Sequence, residues 1–230
     1  MFKKGATEMK KLRTIFIEGL YMKNPVLGLF LGLSVAVLAT TTLFNAVVVS
    51  LLVLVILIVG EFVVSLFRKH LNSFFASLVF VFIAASISTI ASFLLGAYYP
   101  AIGLESYADF SNTLVTGLVP FIASSSIYVF KAKEALEYNP GQAFVDSFAS
   151  GLGFLFALAL IAFFREILAT GELCFTLPSG VQSYVHLFDF TLPILGQPFG
   201  GLLFTGLFSG LHGCIVNRIK KAQQKTIIKG

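Results

Sequence analysis

The sequence predicts an all-α polytopic membrane protein: six transmembrane helices in two inverted three-helix repeats, with helices 1 and 4 short or broken. Three observations carry this. Of 230 residues, 57 % are hydrophobic and only 12 % charged, with a mean hydropathy of +0.92. A soluble domain carries about 25 % charged residues. The apolar residues form long runs: Asn24 to Gly60 is 37 residues without a charge, and about 20 suffice to cross a bilayer. The Lys and Arg residues fall into four groups, and each gap between groups accommodates two spans. A soluble enzyme with a deep aqueous core is excluded. The net charge of +5 forms no basic stripe interleaved with aromatics, so nucleic acid is not an expected partner.

The basic groups set the topology. Lys3, Lys4, Lys10, Lys11, Arg13 and Lys23 precede the first apolar run. Arg68 with Lys69, Lys131 with Lys133, and Arg218, Lys220, Lys221, Lys225 and Lys229 follow. Only Arg165 stands apart. Because Lys and Arg mark the cytoplasmic side, an even number of spans separates consecutive groups. This places both termini and 15 of the 16 basic residues in the cytoplasm. The loops Tyr98 to Ser111 and Ala169 to Phe190, expected outside, carry acids (Glu105, Asp109, Glu172, Asp189) and no base. The expected placement is multi-pass in a membrane, with both termini cytoplasmic.

The spans are placed at about 26–43, 46–67, 73–97, 113–130, 147–168 and 192–216. They form a membrane domain over 24–216, with repeats at about 24–97 and 112–216. A basic cytoplasmic segment, 1–23, precedes it and a basic tail, 217–230, follows. The first gap is tight: 44 residues separate Lys23 from Arg68, and two full crossings need about 40. The outside turn must sit near Thr40, Thr41, Thr42 and Asn45, or the first helix must be interrupted at Gly28, Gly32 and Ser34. The fourth span carries Gly117, Pro120, Ser124, Ser125 and Ser126, and Pro and Gly weaken a helix. Two odd spans three apart suggest inverted repeats with a midplane site. The same small residues would also serve close helix packing.

No compact apolar core ending in a cleavage site opens the chain. Cys174 and Cys214 form no CxxC. Trp is absent, and the 26 Phe residues have no functional account from sequence.

Ala143 to Phe154, closed by Arg165-Glu166-Ile167-Leu168, resembles the fifth helix of the Rnf/Nqr integral subunits. Lys131 to Pro140 is similar to that family's cytoplasmic loop. Asn24-Pro25-Val26-Leu27, Leu31-Gly32-Leu33 and Thr40-Thr41-Thr42 resemble its first helix, and Leu95 to Ala101 its third-helix exit. The topology favours the E subunit of Rnf and the D subunit of Nqr. The resemblance implies a subunit of an ion-translocating oxidoreductase of the ferredoxin:NAD or NADH:quinone type, coupled to Na+ or H+ transport and not catalytic alone. It implies an inverted, paralogous six-helix partner, with flavins on other subunits. In the family, two cysteines per subunit, one from each half-helix, share a 2Fe–2S cluster with the partner, thiolates being the usual ligands. Here the matching positions are Ser34 and Ser126. No cofactor is therefore expected in this chain, and no metal site. A six-helix component of a small-molecule transporter, or a degenerate structural paralogue, is the alternative.

Four further residues are site candidates. Glu61 is an acid within a span, read either as functional or as reaching toward Arg68 or water. Asp146 is placed at the opening of helix five, where the dipole favours an acid, or in ion or subunit contact. Arg165 and Glu166 close that helix on the outside, where an Arg near the C-terminus suits the dipole, and contact of the pair with a neighbouring subunit is the other reading. His212 with Cys214 is too sparse for a metal site, and His70 and His186 are read as loop residues.

Reporter fusions at residues 70 and 135 are expected to read cytoplasmic, and those at 105 and 180 external. One reversed reporter breaks the topology.

Overall fold

A computed structural model describes residues 12–101, 126–176 and 182–229. Helix α1 covers residues 12–22, its last turn, Glu18–Met22, π-helical. It is followed by α2 (Leu33–Ala39), α3 (Leu43–Leu66), α4 (Ser73–Ala101), α5 (Ser126–Glu137) and α6 (Pro140–Thr170). A two-stranded antiparallel hairpin, β1 (Glu172–Thr176) and β2 (Gln182–His186), leads through a 3-10 turn to α7 (Pro198–Lys229). The chain is an all-α polytopic membrane protein. Four described helices are long and apolar enough to cross a membrane: α3, α4, α6 and α7.

The six predicted spans differ from this in three ways. The first is split. The predicted breaks at Gly117, Pro120, Ser124 and Ser125 lie outside the described residues, and only α5 represents the fourth span. The others run longer than hydropathy suggests: α6 starts at Pro140, not near 147, and α7 continues to Lys229. Asn139 is the reason in α6. It supplies a capping box with Gln142, and Pro140 occupies the first turn, where its missing N–H costs nothing. The loop expected after α6 instead contains the hairpin.

The pair α3–α6 is the spine of the bundle and makes its most extensive helix contact. On one side α4 and α5 pack on α3; on the other α2 packs on α7, and α1 lies along α6. Outward-facing side chains are apolar, including Phe74, Phe75, Phe82 and Phe93 of α4 and Phe199, Leu202 and Leu207 of α7. Much of the Phe content is thus the lipid-facing surface.

The first span is broken between Asn24 and Gly32. Asn24 caps this segment: its Oδ1 accepts from the N–H groups of Val26 (3.1 Å) and Leu27 (2.9 Å), and its Nδ2 donates to the Gly153 carbonyl of α6 at 2.8 Å. A Cβ on Gly153 would lie 2.8 Å from the Leu20 carbonyl and 3.0 Å from Asn24 Nδ2, so only glycine lets the segment dock. One helical turn follows, then Phe30 (φ 55°) and Gly32 (φ 71°) reverse the backbone into the left-handed region. This conformation suits Gly32 and strains Phe30. Helix α2 restarts at Leu33.

Arg165 closes the other end of α2. It is 1 % exposed. Its Nε donates to the Leu195 carbonyl at 2.8 Å. Nη1 donates to the Val37 carbonyl (2.6 Å) and Thr40 Oγ1 (2.8 Å), and Nη2 to the carbonyls of Gly196 (2.9 Å) and Gln197 (2.8 Å). All five donors of the guanidinium are engaged. Glu166, its neighbour, accepts from the Leu43 N–H at 2.7 Å, at the first residue of α3. The pair clamps both sides of the Thr40–Thr42 turn. The pair is internal, which departs from the reading in which it contacts a neighbouring subunit.

Arg165→Gln is expected to destabilise the chain by about 3–5 kcal/mol, because it strands buried acceptors. Arg165→Lys, with one point charge in place of a fork, should recover little of this. Thermal unfolding in detergent checks both; wild-type stability in Arg165→Lys would contradict the clamp.

Candidate functional site: a broken span and a buried charge row

Ser34 lies where the broken first span resumes as a helix, and Ser126 lies at the described start of α5. Ser126 is the first described residue of α5, and its Oγ accepts from the Gly32 N–H at 3.4 Å. Ser34 lies two residues beyond Gly32, in the first turn of α2. The structure thus brings the interrupted first span to the start of α5. Both serines are exposed on the surface of the single chain. The donor set there is hydroxyl and backbone, a poor match for a cluster held by thiolates. Cys214 is exposed on α7, and Cys174 belongs to β1. Among the described residues no group of three or more His, Cys, Asp or Glu side chains is arranged for a metal ion.

Helix α7 supports the broken span from behind through residues one turn apart. Ser209 Oγ donates to the Leu27 carbonyl, and His212 Nε2 lies 2.7 Å from the Tyr21 carbonyl, its ring 5.2 Å from that of Tyr21. His212 therefore acts here as a structural donor to an orphaned carbonyl. Such freed backbone groups persist in hydrocarbon only when the protein supplies partners.

The second constellation joins Glu61 (α3), Lys131 and Glu134 (α5), Asp146 (α6) and Lys23. Lys131 Nζ is 2.5 Å from Asp146 Oδ2, 2.8 Å from Glu134 Oε2 and 3.8 Å from Glu61 Oε1. Lys23 Nζ reaches Glu134 at 3.4 Å and Glu18 at 3.6 Å. Glu61 therefore faces Lys131 and not Arg68, which lies in the turn beyond the end of α3. Asp146 is nearly two turns inside α6, so it is an ion-pair partner and not a helix-opening acid. Lys131, counted from sequence with the loop charges, is 1 % exposed; its neighbour Lys133 is exposed.

Next to this row, burial, with the Asp146 and Glu134 carboxylates, pushes the Tyr138 hydroxyl above its ordinary value. Partial burial works against the Lys23 charge, but Glu134, Tyr138 and Glu18 outweigh it and hold the ammonium above its ordinary value.

Sequence reasoning singled out Glu61 and Asp146 but treated them separately. It missed their joint partner Lys131, together with Asn24, Ser209 and the role of His212. The signal for Lys131 was present: it lies three residues from Glu134 and five from the serine run. Positive-inside counting absorbed it as a loop charge.

Comparison with known proteins places these features in a family. A family described as "Rnf-Nqr subunit, membrane protein" matches residues 12–209. The E subunit of the ion-translocating oxidoreductase complex of Shewanella baltica (strain OS185) is 30 % identical over 224 residues, covering 94 % of this chain and 92 % of that protein. The protein of the same name from Pasteurella multocida (strain Pm70) is 30 % identical over 162 residues, covering 70 % and 68 %. That of Shewanella sp. (strain ANA-3) is 29 % identical over 230 residues, covering 96 % and 95 %. On a match that takes in the broken span, the charge row and the Arg165 clamp together, this chain belongs to the Rnf-Nqr family of membrane subunits.

Proposed function

We propose that this chain is an E-type integral subunit of an ion-translocating oxidoreductase complex of the bacterial inner membrane. It supports transmembrane electron transfer coupled to Na+ or H+ transport and has no catalysis of its own. One observation carries this reading: near full-length similarity to proteins of that name, in both directions of coverage. Both termini are cytoplasmic in this proposal, which puts the Lys23–Glu134 end of the charge row on the cytoplasmic side.

The partner is an inverted, paralogous subunit, among other Rnf-type subunits. The exposed Ser34 and Ser126, beside the Gly32–Ser126 contact, mark the face such a partner would cover. A cluster shared across that face would need ligands from both subunits. This chain offers two hydroxyls, which are harder and far less acidic than thiols, and burial disfavours their ionised form. In this reading the chain keeps the fold of the tips and positions its partner, without ligating iron.

Affinity purification of the tagged chain in mild detergent should bring flavin-bearing and iron–sulfur subunits with it. Recovery of the chain with an ATPase, or alone, would instead favour the small-molecule transporter.

Ser34→Cys combined with Ser126→Cys, co-expressed with a partner that bears its own two cysteines, is expected to gain iron and acid-labile sulfide. Stoichiometric iron and sulfide in the wild-type chain purified alone without oxygen would contradict the proposed loss. An iron-free double variant beside a competent partner would contradict retention of the tip geometry.

A further inference from the structure

The charge row does not balance. Glu61, Asp146 and Glu134 oppose Lys131 and Lys23, and Glu18 adds a further acid at the exposed end. The deepest part holds two acids for one ammonium. Glu61 is wholly buried, and neither of its carboxylate oxygens accepts a hydrogen bond from any described residue. Lys131 stands 3.8 Å away, beyond hydrogen-bond reach, because its ammonium is committed to Asp146 at 2.5 Å and Glu134 at 2.8 Å. Glu61 Oε1 and Asp146 Oδ2 both face the one Lys131 ammonium, at 3.8 Å and 2.5 Å. Two buried carboxyl groups thus turn toward a single cation, and Glu61 has no hydrogen-bond donor among the described residues. Burial of two like charges around one ammonium disfavours the state in which both are ionised.

We infer that Glu61 and Asp146 share one exchangeable proton, held beside Lys131 between α3, α5 and α6. The proton supplies the missing donor: one carboxyl donates to the other, and Lys131 balances the single remaining negative charge. A metal cation is the poorer occupant, since the Lys131 ammonium already holds the cation position at Asp146.

The groups that face the pair come from every packed element. Lys131 and Glu134 lie on α5, with Tyr138 just beyond it, and Lys23 and Glu18 belong to the α1 end. Tyr128, one turn before Lys131, and Ser150, one turn after Asp146, are buried, and their hydroxyls make no hydrogen bond among the described residues. Ser150 Oγ and Asp146 Oδ1 both lie against Gly19 of α1, so α1 covers the Asp146 side of the pair. Side-chain exposure rises from 0 % at Glu61 through 2 % at Lys131, 4 % at Asp146 and 16 % at Glu134 to 40 % at Lys23. Among the described residues this gradient leads from the pair toward the side of the membrane on which Lys23 lies.

Infrared spectroscopy of the full-length chain in detergent or lipid tests it. At a pH of about 8, exposed acids with ordinary values near 4 are ionised. A neutral-carboxylic-acid carbonyl band that shifts in deuterium oxide is then expected in the wild type. The same band should be lost in Glu61→Gln and also in Asp146→Asn, because either change leaves one acid ion-paired with Lys131. Absence of the band from the wild type, which needs no variant to fold, would overturn the proposal. Its survival in either variant would show a proton on a single acid and overturn the sharing. Its abolition by Na+ at constant pH would also overturn the proposal, because a cation would then neutralise the pair.

Discussion

The guanidinium of Arg165 is the constraint on which the rest of the structure depends. A seven-residue helix in hydrocarbon cannot satisfy its own ends, since most of its backbone groups fall within the four-residue margins that lack intrahelical partners. Arg165 reaches from α6 to the C-terminal end of α2 and to the turn before α7, so one side chain serves three segments. Thr40 completes the cap: its hydroxyl donates to the Ala36 carbonyl at 2.6 Å and accepts from Arg165. With Glu166 on the Leu43 N–H, the turn between α2 and α3 is held tightly enough to shrink to Thr40–Thr42. Two helices can then share a charge-free stretch barely long enough for two crossings.

The same helix, α6, does the opposite work one end away. At Gly151 and Gly153 it presents bare backbone. α3 comes close there through Leu54, and the Asn24 turn lies against its backbone. Asp146 and Ser150 then face α1 and α5. Thus α6 carries the clamp for the broken span near one end, the docking groove in the middle, and the charge row near the other. The row is buried by the packing that the groove permits, so its burial and the position of the broken span depend on the same contacts. The two constellations meet through the chain as well: Lys23 ends the row, and Asn24, its neighbour, begins the break.

Much of this was legible in the sequence, for identifiable reasons. Hydropathy runs located α3, α4, α6 and α7, because lipid demands continuous apolar surface. Gly28, Gly32 and Ser34, with the shortage of residues before Arg68, announced the interrupted first span. Helix ends were less legible. Hydropathy is blind to capping, so Asn139-Pro140 started α6 earlier than the apolar run suggests, and Asp146 moved from a helix opening to an interior position. Arg165 was visible as the one base outside the four groups, but five acceptors drawn from residues 37–40 and 195–197 are a tertiary arrangement that no local pattern encodes. Lys131 failed for a related reason: a lysine counted by position looks like a loop charge until three acids from three elements are folded around it.

The most direct measurement is an experimental density map of the assembled complex in a lipid environment, read at Arg165 and residues 24–40. The account predicts a non-helical chain between Asn24 and Gly32, with the guanidinium joined to the Val37 and Leu195 carbonyls and the start of α5 beside Gly32. A continuous helix from Asn24 to Ala39, with Arg165 turned toward lipid or another protein chain, would contradict it.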